Sequence, residues 1–435
     1  MATMDVTIEK LIYGGEGLAH HEGSTVFVPF VLPAERVVVT PVEKKKKFVR
    51  AQVERIIEPS PERVAPRCPH FGVCGGCDYQ HIPCEAQLRY KADILRETLR
   101  RIGKIDWTGE ITAHASPPWG YRNRAQWKIR PLEKAPSETG GDAGDATNGI
   151  GYYRANTTAL CPVEECAILS PLLAKTLLAL RVGLAAGEWP RGLREIEAFA
   201  GAGDAKLLLT ATFAGFPARA AELAEAIRRR LPELESLLFH DPGKERMELD
   251  GPGYVECEAG GSAYRVGHFS FFQVNRFLAD ALVREVAENE EGGSLALDLF
   301  AGVGLFSVPL GKRFGRVVGV ESNPAAARDF EANVRTSRAV EVRGTDVERF
   351  LGRYKDKPEL VVLDPPRTGL TPEAARHLAR IAPARITYVS CEPPALARDL
   401  AVLVRDGYEV TRVHLFDLFP QTFHMETVVR LRRRP

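Results

Sequence analysis

The chain has 435 residues, enough for two to four domains with buried cores at roughly 100 to 200 residues per domain. Its 58 lysine and arginine residues nearly balance its 57 aspartate and glutamate residues, and the net charge of +1 excludes an acidic disordered tail or a uniformly basic coat. Because the chain has neither an unbroken run of about 18 apolar residues nor the apolar core of a signal peptide, we expect a cytoplasmic protein outside the membrane.

Residues 1–60 alternate short apolar runs, such as STVFVPFVL, with turns marked by glycine and proline. Strands this short at this spacing predict a compact β-barrel of about five strands. The lysine run at 44–47, followed by Phe48 and Arg50, is positively charged and could bind phosphates. A solvated hairpin end explains the run equally well. A nucleic-acid-binding barrel is one interpretation of this segment.

A proline-rich linker, EPSPERVAPRCPH, leads from the barrel into a second domain that we place at residues 61–270. Residues 136–149 are rich in glycine, serine and aspartate and predict a flexible surface loop. The regular elements expected in this α+β domain are helices over 85–102 and 218–231 and strands near 150–154, 194–200, 206–213 and 236–240.

Basic side chains outnumber acidic ones between residues 86 and 135, and they are interleaved with Trp107, Trp119, Tyr121 and Trp127. Basic charge attracts a phosphate backbone, and exposed aromatic rings can stack on unpaired bases, so this mixture favours RNA binding. The competing interpretation is that the rings belong to a core beneath a solvated charged face.

Three cysteines in the segment CPHFGVCGGCDYQH, Cys68, Cys74 and Cys77, follow the spacing C-x5-C-x2-C. Glycines between them allow the tight turns that bring thiolates to one centre. Such a set needs a fourth ligand from elsewhere, for which Cys161 and Cys166 are candidates. Thiolate sites of this kind hold zinc or an iron-sulfur cluster, and the spacing alone does not separate the two.

Apolar strands alternate with helical stretches from residue 271 to 435, which predicts a doubly wound α/β sheet with helices on both faces. In such a sheet the ligand binds beyond the carboxyl ends of the strands. The strands we expect are SLALDLF, RVVGVES, VEVRGTD, LVVLDPP, ITYVSC, EVTRVHLF and ETVVRLR.

A candidate cofactor site follows the first of these strands, where Asp298 leads into the glycine turn FAGVGLF, a weak nucleotide-binding signal by itself. Glu321 ends the next strand, where a carboxylate can accept hydrogen bonds from ribose hydroxyls, and Asp346 closes a third. Position 307 is serine where a dinucleotide motif has its third glycine, so the pattern favours S-adenosylmethionine, which has no phosphate, over a pyrophosphate cofactor. Structural turn carboxylates are the alternative.

Three residues near the later strands have side chains suited to substrate binding and catalysis. Asp364 ends the strand LVVLD before two prolines, and Cys391 follows the next strand close to a helix start, where a thiol can act as a nucleophile. Glu426, in FHMETVV, is a candidate general base. A buried, inert cysteine is the alternative for position 391.

These motifs, in this order over essentially the whole chain, resemble the RNA 5-methyluridine methyltransferases that modify bacterial 23S ribosomal RNA, whose relatives act on transfer RNA. The first 60 residues are similar to the family's TRAM domain, an RNA-binding barrel, and CPHFGVCGGCDYQH is similar to its iron-sulfur motif. SCEPPALARDL resembles the nucleophile motif and HMETV the general-base motif. The resemblance implies an OB-like TRAM barrel at 1–60, a central iron-sulfur domain at 61–270 that binds RNA, and a Rossmann-like methyltransferase domain at 271–435.

The resemblance also implies two bound groups and assigns residues to each. A 4Fe-4S cluster would be held by Cys68, Cys74, Cys77 and Cys166, the last because VEECAILSP matches the segment that supplies the fourth ligand. The residues implied for S-adenosylmethionine are Gln273, Phe300, Leu305, Glu321, Asp346 and Asp364.

The implied reaction is methylation of uracil C5, a carbon too weakly nucleophilic to attack a methyl donor without a covalent adduct. Cys391 would add to C6, Asp364 would hydrogen-bond the uracil, and Glu426 would remove the C5 proton. We expect a cytoplasmic monomer that binds RNA and not DNA, with 23S ribosomal RNA as substrate. The alternatives are a transfer RNA substrate, a radical enzyme, whose C-x3-C-x2-C spacing the chain lacks, and a non-catalytic RNA-binding or ribosome-assembly protein.

Three positions depart from the family pattern. Glu392 stands where the family usually has asparagine, and Pro394 where a small residue is commoner. Leu305 replaces a polar residue of some relatives, so we expect any cofactor contact there to come from its backbone.

Overall fold

The computed structural model describes residues 3–131, 148–190 and 192–435. The loop expected at 136–149 lies outside these residues except for its last two positions. Within the described ranges, no helix has both the length and the apolar character that crossing a membrane requires.

The first unit is one curled sheet of six strands, where the sequence predicts about five. Its strands are β1 Met4–Thr7, β2 Lys10–Leu11, β3 Glu16–His21, β4 Ser24–Pro29, β5 Arg36–Lys44 and β6 Phe48–Glu58, in the spatial order β1-β5-β6-β4-β3-β2. Alternate residues of β4 and β5, including Val26, Val28, Val37 and Val39, fill a small core. The lysine run lies at the exposed end of the β5-β6 hairpin.

The second unit confirms the predicted helices and strands. Its elements are α1 Cys84–Arg101, β7 Ile111–His114, β8 Arg124–Pro131, β9 Asn148–Tyr153, β10 Leu160–Pro162, α2 Pro171–Ala185, β11 Leu193–Ala200, β12 Leu207–Phe213, α3 Ala220–Arg230, β13 Leu234–Asp241 and β14 Arg246–Asp250. Seven of the strands form a sheet in the order β10-β9-β8-β11-β12-β13-β14. α2, which the sequence pattern does not predict, starts at a Ser170 cap with proline in the first turn.

Two of the four aromatic residues proposed to stack on RNA are core residues instead. The side chains of Tyr121 and Trp127 are fully buried. Trp127 belongs to the core beneath the seven-stranded sheet, because its strand places alternate residues on the covered face. Trp107 packs partly buried against another core, and Trp119 stacks with Arg67, whose guanidinium carbon lies 5.1 Å from the ring centroid. The competing interpretation therefore holds for Tyr121 and Trp127.

The third unit has the predicted alternation of strands and helices. Its elements are β15 Tyr254–Ala259, β16 Ser262–Gly267, α4 Ala279–Val283, β17 Gly293–Leu299, α5 Ser307–Leu310, β18 Phe314–Glu321, α6 Pro324–Val334, β19 Val340–Gly344, α7 Val347–Arg353, β20 Leu360–Leu363, α8 Pro372–Ile381, β21 Arg385–Ser390, α9 Pro393–Arg405, β22 Tyr408–Phe416 and β23 Glu426–Arg433. β15 and β16 form a separate hairpin.

The main sheet of this unit has the order β19-β18-β17-β20-β21-β23-β22-β7. Strands β17 to β21 are mutually parallel, and the order reverses between β17 and β20, where an open α/β sheet binds its ligand. Leu297 and Val361 belong to one core, whereas the neighbouring Ala296 and Val362 belong to another. Both faces of the sheet are therefore covered, as the apolar runs predict.

Part of the segment assigned to the second domain belongs structurally to this sheet. β7 pairs in parallel with β22, from Ile111 opposite Val413 to His114 opposite Phe416, and α1 packs against α9. The division expected at residue 270 therefore does not separate the cores, because α1 and β7 complete the sheet edge from far upstream in sequence.

One buried ion pair fixes α1 to the chain beyond β22. The Nζ of Lys91, which is fully buried, donates to Asp417 Oδ1 at 2.6 Å and to the Phe419 carbonyl at 3.1 Å. Burial lowers the pKa of Lys91, while the nearby Asp417 acts in the opposite direction. The pair therefore anchors the loop that precedes Glu426.

We predict that Lys91→Met lowers the free energy of unfolding by about 3 to 5 kcal/mol, because it leaves the Asp417 carboxylate buried without a partner. Urea denaturation checks this. Arg89→Met on the same helix, which removes the exposed Arg89–Glu62 pair, is the matched control and should cost less than about 1 kcal/mol. Equal losses in the two variants would contradict the role of burial.

Candidate active site

Three sequence-predicted residues meet at one edge of the main sheet. Cys391 directly follows β21 and Asp364 directly follows the neighbouring strand β20. Glu426 begins β23, whose antiparallel register pairs Ser390 with Thr427 and so places Glu426 beside Cys391. A thiol and two carboxyl groups thus lie close together, where two parallel strands end and an antiparallel strand begins.

The electrostatics of this point favour protonated groups. Burial, followed by the charges of Asp298 and Glu321, raises the pKa of Asp364. Burial and the neighbouring Asp364 raise the pKa of Glu426, which is only 5% exposed. Burial, then Glu426 and Asp364, raise the pKa of Cys391 to about 12, and Arg367 acts in the opposite direction. The surroundings therefore favour the protonated forms of Cys391 and Glu426, and each has to lose its proton before it can act as a nucleophile or as a base.

We predict that alkylation of Cys391 by iodoacetamide accelerates about tenfold per pH unit between pH 7 and 9, because only the thiolate reacts. Peptide mass spectrometry follows the modified fraction. Arg367→Gln should slow the reaction at each pH, since it removes the cation that favours the thiolate, whereas Arg367→Lys should retain the wild-type rate. A rate that is independent of pH above 7.5 would contradict the raised pKa.

The thiol opens into a cavity of about 440 Å³ that Arg367 and His424 also line. The Arg367 Nη2 donates to His424 Nδ1 at 3.1 Å, and its Nε lies 3.7 Å from a Glu392 carboxylate oxygen. Burial, followed by the Arg367 charge, lowers the pKa of His424 to about 4, so the imidazole is neutral at physiological pH. The sequence pattern does not identify Arg367 and His424 as cavity residues, although each lies within three residues of a predicted one.

The two departures after the nucleophile have local structural explanations. Glu392 forms the ion pair with Arg367 and lies beside the hydroxyl of Tyr13, which reaches in from the N-terminal unit. The Tyr13 ring also packs edge-on against Phe423 at a centroid distance of 5.4 Å. Pro394 occupies the first turn of α9, where proline leaves no intrahelical hydrogen bond broken.

The predicted cofactor turn joins β17 to α5 in a tight backbone path. Phe300, Gly302 and Gly304 all have positive φ, at 66°, 57° and 87°. A Cβ at Gly304 would lie 2.3 Å from the side chain of Phe330, so only glycine fits there. The turn is thereby held close to the carboxyl end of β17.

Carboxylates hold this turn in place. Glu321 accepts hydrogen bonds from the Gly302 amide at 2.8 Å and from the Asn323 amide at 2.6 Å, one on each oxygen. Asp298 accepts from Ser307 Oγ at 2.6 Å, and its other oxygen is buried without a partner among the described residues. Burial raises the pKa of Asp298 to about 7. Glu321 therefore has the structural role considered as the alternative, and each oxygen keeps a second lone pair for a ligand.

The remaining predicted cofactor residues are less closely grouped. Asp346 caps α7 by accepting the Arg349 amide at 2.7 Å. The Leu305 side chain is buried, and its carbonyl accepts from the Tyr264 hydroxyl. Gln273 is also buried and lines a second cavity. Its segment contacts the chain just after Glu321, where Asn323 Nδ2 donates to the Phe269 carbonyl at 3.2 Å.

The four predicted ligand cysteines line the same 440 Å³ cavity as Cys391. Burial raises the pKa of Cys74 and of Cys77 to about 12, with neighbouring cysteines adding to both shifts. The lining includes Cys166 and not Cys161, which lies close to Cys74. Across the described ranges, no three His, Cys, Asp or Glu side chains converge closely enough to hold one metal ion. All four predicted ligands are thiols, the donor type that zinc and iron-sulfur sites share.

Comparisons with known proteins assign a family to each end of the chain. The family described as tRNA (Uracil-5-)-methyltransferase matches residues 255–434, and the TRAM domain family matches residues 2–53. A Salmonella choleraesuis protein named 23S rRNA (uracil(1939)-C(5))-methyltransferase RlmD is 35% identical, with 98% of this chain and 96% of that protein covered. An Aquifex aeolicus protein named as an uncharacterized RNA methyltransferase is 34% identical over 98% of both chains.

A solved structure resembles the whole chain. It is the Pyrococcus abyssi tRNA (uracil-54, C5)-methyltransferase in complex with S-adenosyl-L-homocysteine, with a TM-score of 0.75 and 26% identity. The match covers 98% of this chain and all of that one. With full-length relatives and the matched catalytic domain in agreement, the chain belongs to the RNA uracil-C5 methyltransferases and is an enzyme of that family with an N-terminal TRAM domain.

Proposed function

We propose that this protein methylates C5 of a uracil in 23S ribosomal RNA through a covalent adduct with Cys391. The observation that carries the proposal is the meeting of Cys391, Asp364 and Glu426 at the carboxyl edge of the sheet, next to the turn held by Glu321. Relatives about 35% identical over their full length support the ribosomal substrate through their names.

The reaction begins at uracil C6. The Cys391 thiolate forms a bond to C6, and the electron pair of the C5–C6 double bond moves toward C5 and the C4 carbonyl. Arg367 favours the thiolate by its charge, and Asp364 hydrogen-bonds the uracil. S-adenosylmethionine, when bound, would supply the methyl group that C5 takes up, the S–CH3 bond breaking with its electron pair left on sulfur to give S-adenosylhomocysteine.

The adduct then has to be released. Glu426 removes the C5 proton, the double bond re-forms, and the bond between Cys391 and C6 breaks. A target base has to leave any stacked helix to reach a thiol inside a cavity, so the substrate is single-stranded or flipped. Gln273, Phe300, Leu305, Glu321 and Asp346 are proposed to contact the cofactor.

Tritium release from RNA labelled at uracil C5 tests the proposed function. A 23S fragment and a transfer RNA are incubated separately with the protein and S-adenosylmethionine. Release from the 23S fragment alone supports the proposal, and release from transfer RNA alone would replace the substrate with the one named for the Pyrococcus abyssi structure. Release from neither would contradict both substrates and point to an RNA that was not supplied.

We propose that a 4Fe-4S cluster is held by Cys68, Cys74, Cys77 and Cys166. Because methyl transfer needs no electron, we infer that the cluster shapes the RNA-binding surface and has no redox role. For Cys74→Ser we predict loss of bound iron and at least about tenfold weaker RNA binding, measured by iron analysis and fluorescence anisotropy. Cys161→Ser, which changes a neighbouring thiol outside the cavity lining, should keep its iron. Iron retained in Cys74→Ser but lost in Cys161→Ser would contradict the ligand set.

A further inference from the structure

A turn of the N-terminal barrel, between β2 and β3, lies against the catalytic unit. Gly14 and Gly15 in this turn both have positive φ, at 107° and 84°. A Cβ at Gly15 would lie 3.2 Å from the ring of Phe423 and 3.3 Å from the Cβ of Asp78. Glycine at position 15 therefore allows the turn both its left-handed backbone and its close approach to Phe423.

Tyr13, in the same turn, belongs to a closed cycle of five side chains. Its ring packs edge-on against Phe423 at a centroid distance of 5.4 Å, and Phe423 lies 4.1 Å from the ring of His424. Arg367 donates to His424 at 3.1 Å and pairs with Glu392 at 3.7 Å. The Glu392 carboxylate lies beside the buried hydroxyl of Tyr13, which closes the cycle. Four members come from the catalytic unit and one comes from the barrel.

The cycle includes the loop that presents the proposed general base. His424 precedes Glu426 by two residues, in the loop between β22 and β23. On one side α1 holds this loop, since the Oε1 of Gln87 accepts the Gln421 amide at 2.8 Å. On another side the loop packs against Tyr13 of the barrel. The position of Glu426 thus depends on contacts from two parts of the chain that are distant in sequence.

Glu392 is directed into this cycle and away from the helix that it begins. It is the N-cap residue of α9, but its side chain makes no capping hydrogen bond. Asparagine, which the family usually has here, is among the preferred N-cap residues. The Glu392 side chain is only 24% exposed and pairs with Arg367 instead. This chain has therefore replaced a helix cap by a contact that leads to the barrel.

We propose that Tyr13 is a positioning residue for methyl transfer, through which the N-terminal barrel holds Glu392 and the loop that presents Glu426. The barrel thereby contributes to the geometry of the reacting groups as well as to RNA binding. The inference rests on the proposed function and adds a role for the barrel in the reaction itself.

The test compares Gly15→Ala with Gly23→Ala. Gly23 has a φ of 77° in the turn between β3 and β4 of the same barrel, and a Cβ there meets nothing within 4 Å. Both substitutions strain a left-handed turn, but only Gly15→Ala displaces the turn from Phe423. We expect Gly15→Ala to lower kcat about tenfold while the dissociation constant for RNA changes less than twofold. Gly23→Ala should change neither quantity more than twofold.

Tyr13→Leu tests the same contact without straining the backbone. Its control is Tyr90→Leu on α1, because the Tyr90 hydroxyl donates to Glu62 and takes part in none of the proposed sites. We expect a loss of kcat in Tyr13→Leu alone, again with unchanged RNA affinity. Alkylation of Cys391 by iodoacetamide at pH 8, which needs no RNA, should become at least about threefold faster in Tyr13→Leu. The reason is that burial is the largest cause of the raised pKa of this thiol, and removing the ring admits water.

Normal kcat in both Gly15→Ala and Tyr13→Leu, or a loss confined to RNA affinity, would overturn the proposal. If the wild type methylates neither RNA, the proposed function fails. Equal alkylation rates in Tyr13→Leu and Tyr90→Leu would then overturn this inference separately.

Discussion

Replacing Cys391 by alanine is expected to reduce methyl transfer by at least about 10⁴-fold, with S-adenosylmethionine binding changed less than twofold. The reason is that C5 gains its nucleophilicity only after a thiolate has added to C6. The turn at Gly302 and the Glu321 carboxylate do not depend on the thiol, so the cofactor site should remain intact. Transfer is measured with labelled S-adenosylmethionine and binding by calorimetry.

Cys84→Ala is the control for loss of a thiol, because Cys84 is also partly exposed and lies in none of the proposed sites. It should retain nearly full activity. Near-normal turnover by Cys391→Ala would eliminate the covalent mechanism, and loss of cofactor binding in that variant would mean that the substitution disturbs more than the nucleophile.

The second large effect is expected for Glu426→Gln, which should accumulate a methylated RNA–protein adduct and slow turnover by about 10² to 10⁴-fold. The amide keeps the size of the side chain beside Cys391 but cannot take the C5 proton, so the thiol cannot leave C6. Denaturing gels with labelled RNA detect the adduct. The double variant Cys391→Ala/Glu426→Gln should give none.

A Glu426→Gln protein that turns over slowly without any adduct would show that another group removes the proton or that Glu426 acts before the adduct forms. Asp364 is the buried neighbour that would then need the same test. One denaturing gel separates these possibilities, because protein stays attached to RNA only if Glu426 removes the C5 proton after the adduct has formed.

The strands of the catalytic unit could be predicted from the sequence because runs such as SLALDL and LVVL are apolar on both faces of a covered parallel sheet. The meeting of Cys391 with Asp364 also followed, since both end neighbouring parallel strands. β7 could not be placed, because four residues carry too little pattern to reveal pairing with β22 some 300 positions later.

Side-chain environments were the less predictable part. Trp127 and Tyr121 lie in a segment whose basic and aromatic composition is typical of an RNA-stacking surface, but both side chains are buried. Only the fold of the sheet determines which of its faces is covered. The contacts of Tyr13 and Arg367 with Glu392 join segments distant in sequence, so no local spacing predicts these contacts.

The most direct test of the covalent mechanism uses RNA in which the target uridine is replaced by 5-fluorouridine. Fluorine cannot be removed as a proton, so the adduct formed after methyl transfer cannot break down. The mechanism predicts a stable complex in the presence of S-adenosylmethionine, with one methyl group and one nucleotide on the peptide that contains Cys391, identified by mass spectrometry after nuclease digestion. A complex linked through any other residue, or methylated RNA formed freely with no complex, would contradict it.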